Sequence, residues 1–227
     1  MPFPSRINIG SGRDWREEAI NIDINPALGP DLIADVSSPD LVGSEHVTGR
    51  FGPLVLAAGR FTHIRAAHVL EHVPDLVRTM TNCLALLGEG GEMEIEVPYD
   101  LSHGAWQDPT HVRAFNERSW IYYTDWHWMV GWNEWRFDVV HNALILSNFG
   151  QELKQRGVPN EQIRITPRAV DVNRAVLRKR RLTEEEQRRG RQQAQPRMAR
   201  VVRASGAAPA EVPADAAARL SEIEVPD

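Results

Sequence analysis

The sequence predicts an α/β domain built on a mainly parallel sheet, and three observations carry that prediction. Short apolar runs alternate with turn-rich or helix-like segments. The first run leads into a glycine-bearing turn, INIGSG, at residues 7–12. The next two runs each close on an aspartate, Asp23 in NIDI and Asp35 in IADV. In such a sheet consecutive strand ends line one edge, which is where ligands gather.

Taken in order, the candidate strands are RINIG (6–10), AINIDI (19–24), DLIAD (31–35), FTHIRAA (61–67) and EMEIEVP (92–98). Between the last two, Leu76, Met80, Cys83, Leu84 and Leu87 fall at helical spacing and Gly88 supplies a stop, so this stretch is a strand, crossover helix, strand unit. Beyond Pro98 an aromatic, histidine-bearing segment from Tyr99 to Trp135 is expected to form an insertion over the sheet. A strand at FDVVHNALIL, a helix around Phe149 to Arg156, and strands at QIRIT and VNRAVLR follow. The late strands complete the sheet, with antiparallel pairing among them. The folded domain is expected to span 1–182, with its insertion at about 99–135, and 183–227 to form a flexible basic segment and Ala/Pro-rich tail.

Composition excludes several classes. With 227 residues, 42% of them hydrophobic, the chain can build a sizeable core. Its single cysteine rules out an intrachain disulfide, and Cys83, inside an amphipathic helix, is expected to be a buried small hydrophobe, which suits a reducing, cytoplasmic setting. MPFPSR lacks a secretory pattern and no run of about 18 apolar residues occurs, so neither export by that route nor membrane insertion is expected. The net charge of −5 conceals an asymmetry: residues 1–173 hold 14 Lys+Arg against 23 Asp+Glu, whereas 174–203 hold 11 against 3.

Gly10 and Gly12 permit a tight turn and a close backbone approach to a ligand. Asp23 is positioned to accept from ribose hydroxyls and Asp35 from an adenine amino group. Only residues 13–18 separate Gly12 from the second strand, and Arg13 stands where a third glycine would complete a dinucleotide fingerprint. A helix N-terminus able to hold a pyrophosphate is therefore not expected, which disfavours NAD.

INIGSG, NID, IADV, AAHVLEHV, LLGEGGEMEIEVP and DPTHVRAF together resemble the class I S-adenosylmethionine-dependent methyltransferases, above all the small bacterial methyltransferase-11-like group. The resemblance covers roughly residues 6–115 and implies a Rossmann-like sheet, S-adenosylmethionine as cofactor, and methyl transfer. It places Gly10 and Gly12 against the methionine and ribose, Asp23 on the ribose hydroxyls, Asp35 and Val36 at the adenine, and His68 near the sulfonium. Ser11 and Ile24 complete the implied cofactor set.

Residues 68–72, HVLEH, also match the H-x-x-E-H pattern of zinc peptidases. That chemistry needs both imidazoles on one long helix, and the nearby Pro74 opposes it, so no metal is expected. Methyl transfer asks the protein mainly to position two reactants and manage a proton. His72 or His111 is a candidate general base with Asp108 orienting an imidazole, and His103, Trp106 and Arg113 are candidate acceptor-binding residues. Six of seven tryptophans lie in 106–135, either packing the insertion or lining an acceptor pocket. The expected acceptor is a hydroxyl, amine or carboxyl of a small or glycan-like molecule. The alternative is a nucleic-acid partner engaged through the basic run 174–203.

Overall fold

A computed structural model describes residues 4–193 of the chain. Its strands are β1 (Arg6–Ile9), β2 (Ile20–Asp23), β3 (Leu32–Ile33), β4 (Glu45–Thr48), β5 (Gly52–Val55), β6 (Phe61–Ala67), β7 (Leu87–Pro98), β8 (Trp135–Leu146) and β9 (Val170–Arg181). The helices are α1 (Leu76–Leu86), α2 (Asn148–Gln155) and α3 (Asn160–Ile165), and residues 184–193 are also helical. Seven strands form one sheet in the order β3-β2-β1-β6-β7-β9-β8. β1, β2, β3, β6 and β7 pair in parallel, and β9 runs antiparallel to both neighbours. Only β9 is reversed, because β8 shares the direction of β7. No helix among the described residues is long and apolar enough to cross a membrane.

The sheet has one dry face and one polar face. In β7, Met93, Ile95 and Val97 are buried in a single apolar cluster with Met80, Cys83 and Leu84 of α1, while Glu92, Glu94 and Glu96 point the other way. Parallel sheets are usually covered on both faces by crossover helices. Here the β1–β2 connection is too short for one, and side chains do that work: Asn21 Nδ2 donates to Arg16 O (2.8 Å) and Asn8 Nδ2 to Asp14 O (2.7 Å). Charge fills the remainder of the face. Arg65 meets Asp14 (3.0 Å), Glu94 (2.7 Å) and Glu96 (3.3 Å), Arg174 meets Glu96 (3.1 Å), and Arg178 meets Glu92 (2.7 Å).

α1 begins where Asp75 accepts from Arg78 N (2.8 Å), satisfying one of the free N–H groups of its first turn. Several expectations need correction. QIRIT is not a strand: it lies in and just after α3, which Pro159 precedes as its N-cap, and its two isoleucines do not share a strand face, since Ile163 is buried and Ile165 is 68% exposed. The β4–β5 hairpin was not expected. Within the insertion, Trp120 and Trp132 are buried and donate to Asn173 Oδ1 (2.9 Å) and Thr81 Oγ1 (3.0 Å), so they pin it to the sheet and to α1.

The basic run also has a different role at its start. Residues 174–181 belong to β9, where Arg180 pairs with Asp138 (2.7 Å) and Glu186 (2.6 Å) and buried Lys179 donates to Leu87 O (2.6 Å). The chain continues folded past 182. Thr183 and Glu186 form a reciprocal capping box, Glu186 N to Thr183 Oγ1 (3.2 Å) and Thr183 N to Glu186 Oε2 (2.9 Å), and Gly190 is buried against Trp128 and His127. The expected Ala/Pro-rich tail, with Arg197, Arg200 and Arg203, lies outside the described residues.

Candidate active site

The carboxyl ends of β1, β2, β3 and β6 border a cavity of about 620 Å³, a volume suited to a cofactor-sized ligand. Gly10 and Gly12 line it with left-handed backbones, φ +58° and +49°. At Gly10 an added Cβ would stand 2.3 Å from Val69 Cγ2, so the first turn and the turn after β6 touch there and admit no side chain. Asp23 is buried and its carboxylate is held from both sides, Oδ2 accepting from Gly12 N (2.8 Å) and Oδ1 from Asn25 N (2.9 Å). Each oxygen keeps a second lone pair for a ligand hydroxyl. Asp35, at the next strand end, takes Ser37 N (2.8 Å) and Ser37 Oγ (2.7 Å) on Oδ1 alone. Ile24, Ala34, Val36, Val69 and Val73 make apolar walls, with Ile24 68% exposed at the lip.

This donor set fits a nucleoside without a phosphate linker: a fixed carboxylate for a diol, a second carboxylate one strand away, apolar walls between them. No helix N-terminus aims at the cavity from the β1 turn, so a pyrophosphate has no cradle there. Of the expected cofactor residues, Gly10, Gly12, Asp23, Ile24, Asp35, Val36 and His68 border the cavity. Ser11 does not. It is buried and its N–H donates to Ile22 O (3.0 Å), which makes it a residue of the turn itself. Asn25, Val69 and Thr110 were missed, the last because its place depends on a loop 40 residues downstream of β6.

The opposite wall is built by residues 68–74. His68 is a non-glycine residue at φ +52°, a conformation that costs free energy and recurs at functional sites. Its Nδ1 lies 3.5 Å from Glu71 Oε1, and that carboxylate pushes the imidazole above its usual pKa. The zinc-peptidase geometry is absent: residues 68–73 form a turn, and α1 starts only at Leu76.

His72 lines the cavity beside Thr110, and its Nδ1 lies 2.8 Å from Thr110 Oγ1. Thr110 Oγ1 in turn donates to Asp108 Oδ1 (2.7 Å). The hydrogen bonds from Thr110 hold the Asp108 carboxyl below its ordinary pKa. Asp108 thus reaches the His72 imidazole through the Thr110 hydroxyl. The His111 ring stands edge-on to His72, centroids 4.6 Å apart, with its Nδ1 3.0 Å from Ala105 O. The structure therefore brings His72, Asp108 and His111 together.

Other expected residues fall elsewhere. Arg113 donates to Leu70 O (3.0 Å), Val73 O and Pro74 O (3.0 Å), so its guanidinium clamps the 70–74 turn and is not turned to an anionic acceptor. His103 and Trp106 are exposed away from the cavity, and Trp106 Nε1 donates to Asp100 O (3.0 Å). No tryptophan borders the cavity. Burial pushes the Cys83 thiol up to about 12, which excludes it as a nucleophile.

A family model described as a methyltransferase domain matches residues 10–159. No curated protein matches. Among solved structures, a SAM-dependent methyltransferase from Archaeoglobus fulgidus is 16% identical with a TM-score of 0.49, covering 77% of this chain and 85% of its own. An S-adenosylmethionine-dependent methyltransferase from Mesorhizobium loti is 14% identical with a TM-score of 0.43, covering 76% and 89%. With the family match spanning well over half the chain, from the first glycine of the cavity turn past α2, the chain belongs to the class I methyltransferases and is an S-adenosylmethionine-dependent enzyme.

Proposed function

We propose that the enzyme methylates a hydroxyl, amine or carboxyl of a small or glycan-like molecule that enters the cavity beside His72 and Thr110. One observation carries this reading: a single cavity joins the glycine turn, Asp23 and Asp35 on one side to His68, His72 and Thr110 on the other. In this reading Asp23 and Asp35 hold the ribose and adenine of S-adenosylmethionine, Gly10 and Gly12 let the backbone approach it, and Ile24, Val36 and Val69 exclude water. The bound cofactor supplies an electrophilic methyl group on a sulfonium. What the chain itself would have to supply is a place for the acceptor atom and, for a hydroxyl or amine, a partner for the proton it gives up. His72, its ring oriented by Thr110, supplies the polar wall where that acceptor atom is placed and its proton handled, and His111, held by Ala105, stands edge-on behind it.

Calorimetric titration with S-adenosylmethionine and its demethylated product comes first, followed by transfer of labelled methyl across hydroxyl, amine and carboxyl acceptors. Binding of both ligands and label on one acceptor class is expected. Failure of either ligand to bind overturns the assignment of this cavity. A nucleic-acid acceptor finds less support, because Arg174, Arg178 and Arg180 already face acidic partners.

A further inference from the structure

We propose that Glu71, His72 and His111 form a binding site for a divalent first-row transition ion of zinc-like coordination chemistry, on the acceptor side of the cavity. One ligand atom from each of the three lies within 4.8 Å of the other two, and no other such group occurs among the described residues. Glu71 is the decisive member. It is 1% exposed, neither carboxylate oxygen accepts a hydrogen bond from the described residues, and its ion-pair contact is the His68 ring, with Nδ1 3.5 Å from Oε1. A buried carboxylate without hydrogen bonds is costly, and a cation removes that cost.

The hydrogen bonds around the two imidazoles assign their free nitrogens. The Thr110 hydroxyl proton goes to Asp108, which accepts only, so Thr110 Oγ1 must accept from His72 Nδ1–H. Ala105 O also accepts only, so His111 Nδ1 carries its proton. In both neutral rings the lone pair is therefore on Nε2. An Nδ1–H anchored to a carbonyl, or to a carboxylate through a hydroxyl, is the outer-shell arrangement that orients metal-binding histidines. Backbone contacts hold the two segments in register: Val112 N donates to Glu71 O (2.9 Å), and Arg113 clamps the carbonyls of the same turn.

Two imidazoles and one carboxylate suit zinc and its first-row neighbours better than magnesium or calcium, which prefer all-oxygen shells. Three protein ligands also leave a coordination position open, the pattern of reactive sites and not of structural ones. Because His72 borders the cavity, an ion here would face the acceptor. This deepens the proposed function by favouring acceptors that present an oxygen, with the two histidines as ligands and the ion's charge easing loss of the acceptor proton.

The test uses the tag-free full chain, stripped with a chelator and titrated with Zn²⁺ by calorimetry and with Co²⁺ by visible absorption. One equivalent of each is expected to bind, with a Co²⁺ spectrum of a nitrogen and oxygen shell and a higher thermal midpoint, and Mg²⁺ is expected to bind at least a hundredfold more weakly. Glu71→Gln and His111→Asn should each weaken Zn²⁺ binding at least thirtyfold, whereas His141→Asn, on exposed β8, should leave it unchanged. Circular dichroism of the stripped proteins checks folding, and His111→Asn serves alone should Glu71→Gln fail to fold. Absence of a stoichiometric site, or equal affinity in the wild type and a folded variant, overturns the proposal. Metal binding without S-adenosylmethionine binding would instead strike only the function proposed above.

Discussion

Glu71 and Glu186 are both carboxylates close to cationic or ionisable nitrogen, and their surroundings differ in kind. Glu186, beside β9, receives Arg180 Nη1 (2.8 Å) and Nη2 (2.6 Å), Thr183 N (2.9 Å) and Thr183 Oγ1 (3.1 Å). Glu71, next in the chain to cavity-lining His72, is more deeply buried and has only the His68 ring at 3.5 Å, without the alignment of a hydrogen bond. One site is satisfied by its own fold. The other is left short of donors, next to a left-handed histidine and two oriented imidazoles, and such local deficits collect where a protein binds something.

The strongest way to break this comparison is from the cavity side. Gly10→Ala places a methyl group 2.3 Å from Val69 in a left-handed backbone, two residues from Glu71, and should destabilise the protein by about 3 kcal/mol or more in urea unfolding. A cost below about 1 kcal/mol would show that the 68–74 turn yields easily. Next in size, Glu186→Gln should cost about 1–2 kcal/mol at pH 7, because Arg180 and the helix start lose a charged acceptor.

That second difference should depend on pH in one direction. The Arg180 guanidinium holds Glu186 well below the usual carboxylate range, so its stabilisation is complete above the unfolded pKa of about 4.3 and fades as pH falls toward the depressed folded value. Unfolding curves of wild type and Glu186→Gln should converge on acidification; a constant gap from pH 7 to pH 2 would contradict this. Glu71→Gln is expected to act less, leaving metal-free protein within about 1 kcal/mol of the wild type, since it gives up only the 3.5 Å His68 contact and relieves a buried charge. Smallest of all, Cys83 should resist thiol reagents in the native state and react fully in urea.

Much of the site was legible because its residues sit where a pattern changes. Gly10, Asp23 and Asp35 each follow an apolar run, and strand ends in a parallel sheet converge by construction. α1 declared itself through the spacing of Met80, Cys83 and Leu84. The metal-ligand cluster did not, since Glu71 and His72 meet His111 only through the fold of residues 99–118, and the local pattern HVLEH suggested the wrong partner for His72. QIRIT misled because Ile163 and Ile165 alternate like a strand while Pro159 starts a helix. The Arg-rich run hid a strand: Ala175 and Leu177 carry the buried face of β9, and the arginines that flank them, Arg174 and Arg178, belong to its wet side.

That wet side has a consequence for how the sequence can vary. Glu96 serves Arg65 and Arg174, Arg65 also draws on Asp14 and Glu94, and the residues come from β6, β7, β9 and the first turn. Neutrality there is collective and belongs to no single pair. Removing Glu96 takes from Arg174 the acid it meets while Arg65 keeps Asp14 and Glu94, whereas exchanging an acid and a base together leaves the balance intact. Substitutions on this face should therefore travel in compensating sets, whereas those on the dry face are constrained one by one through volume.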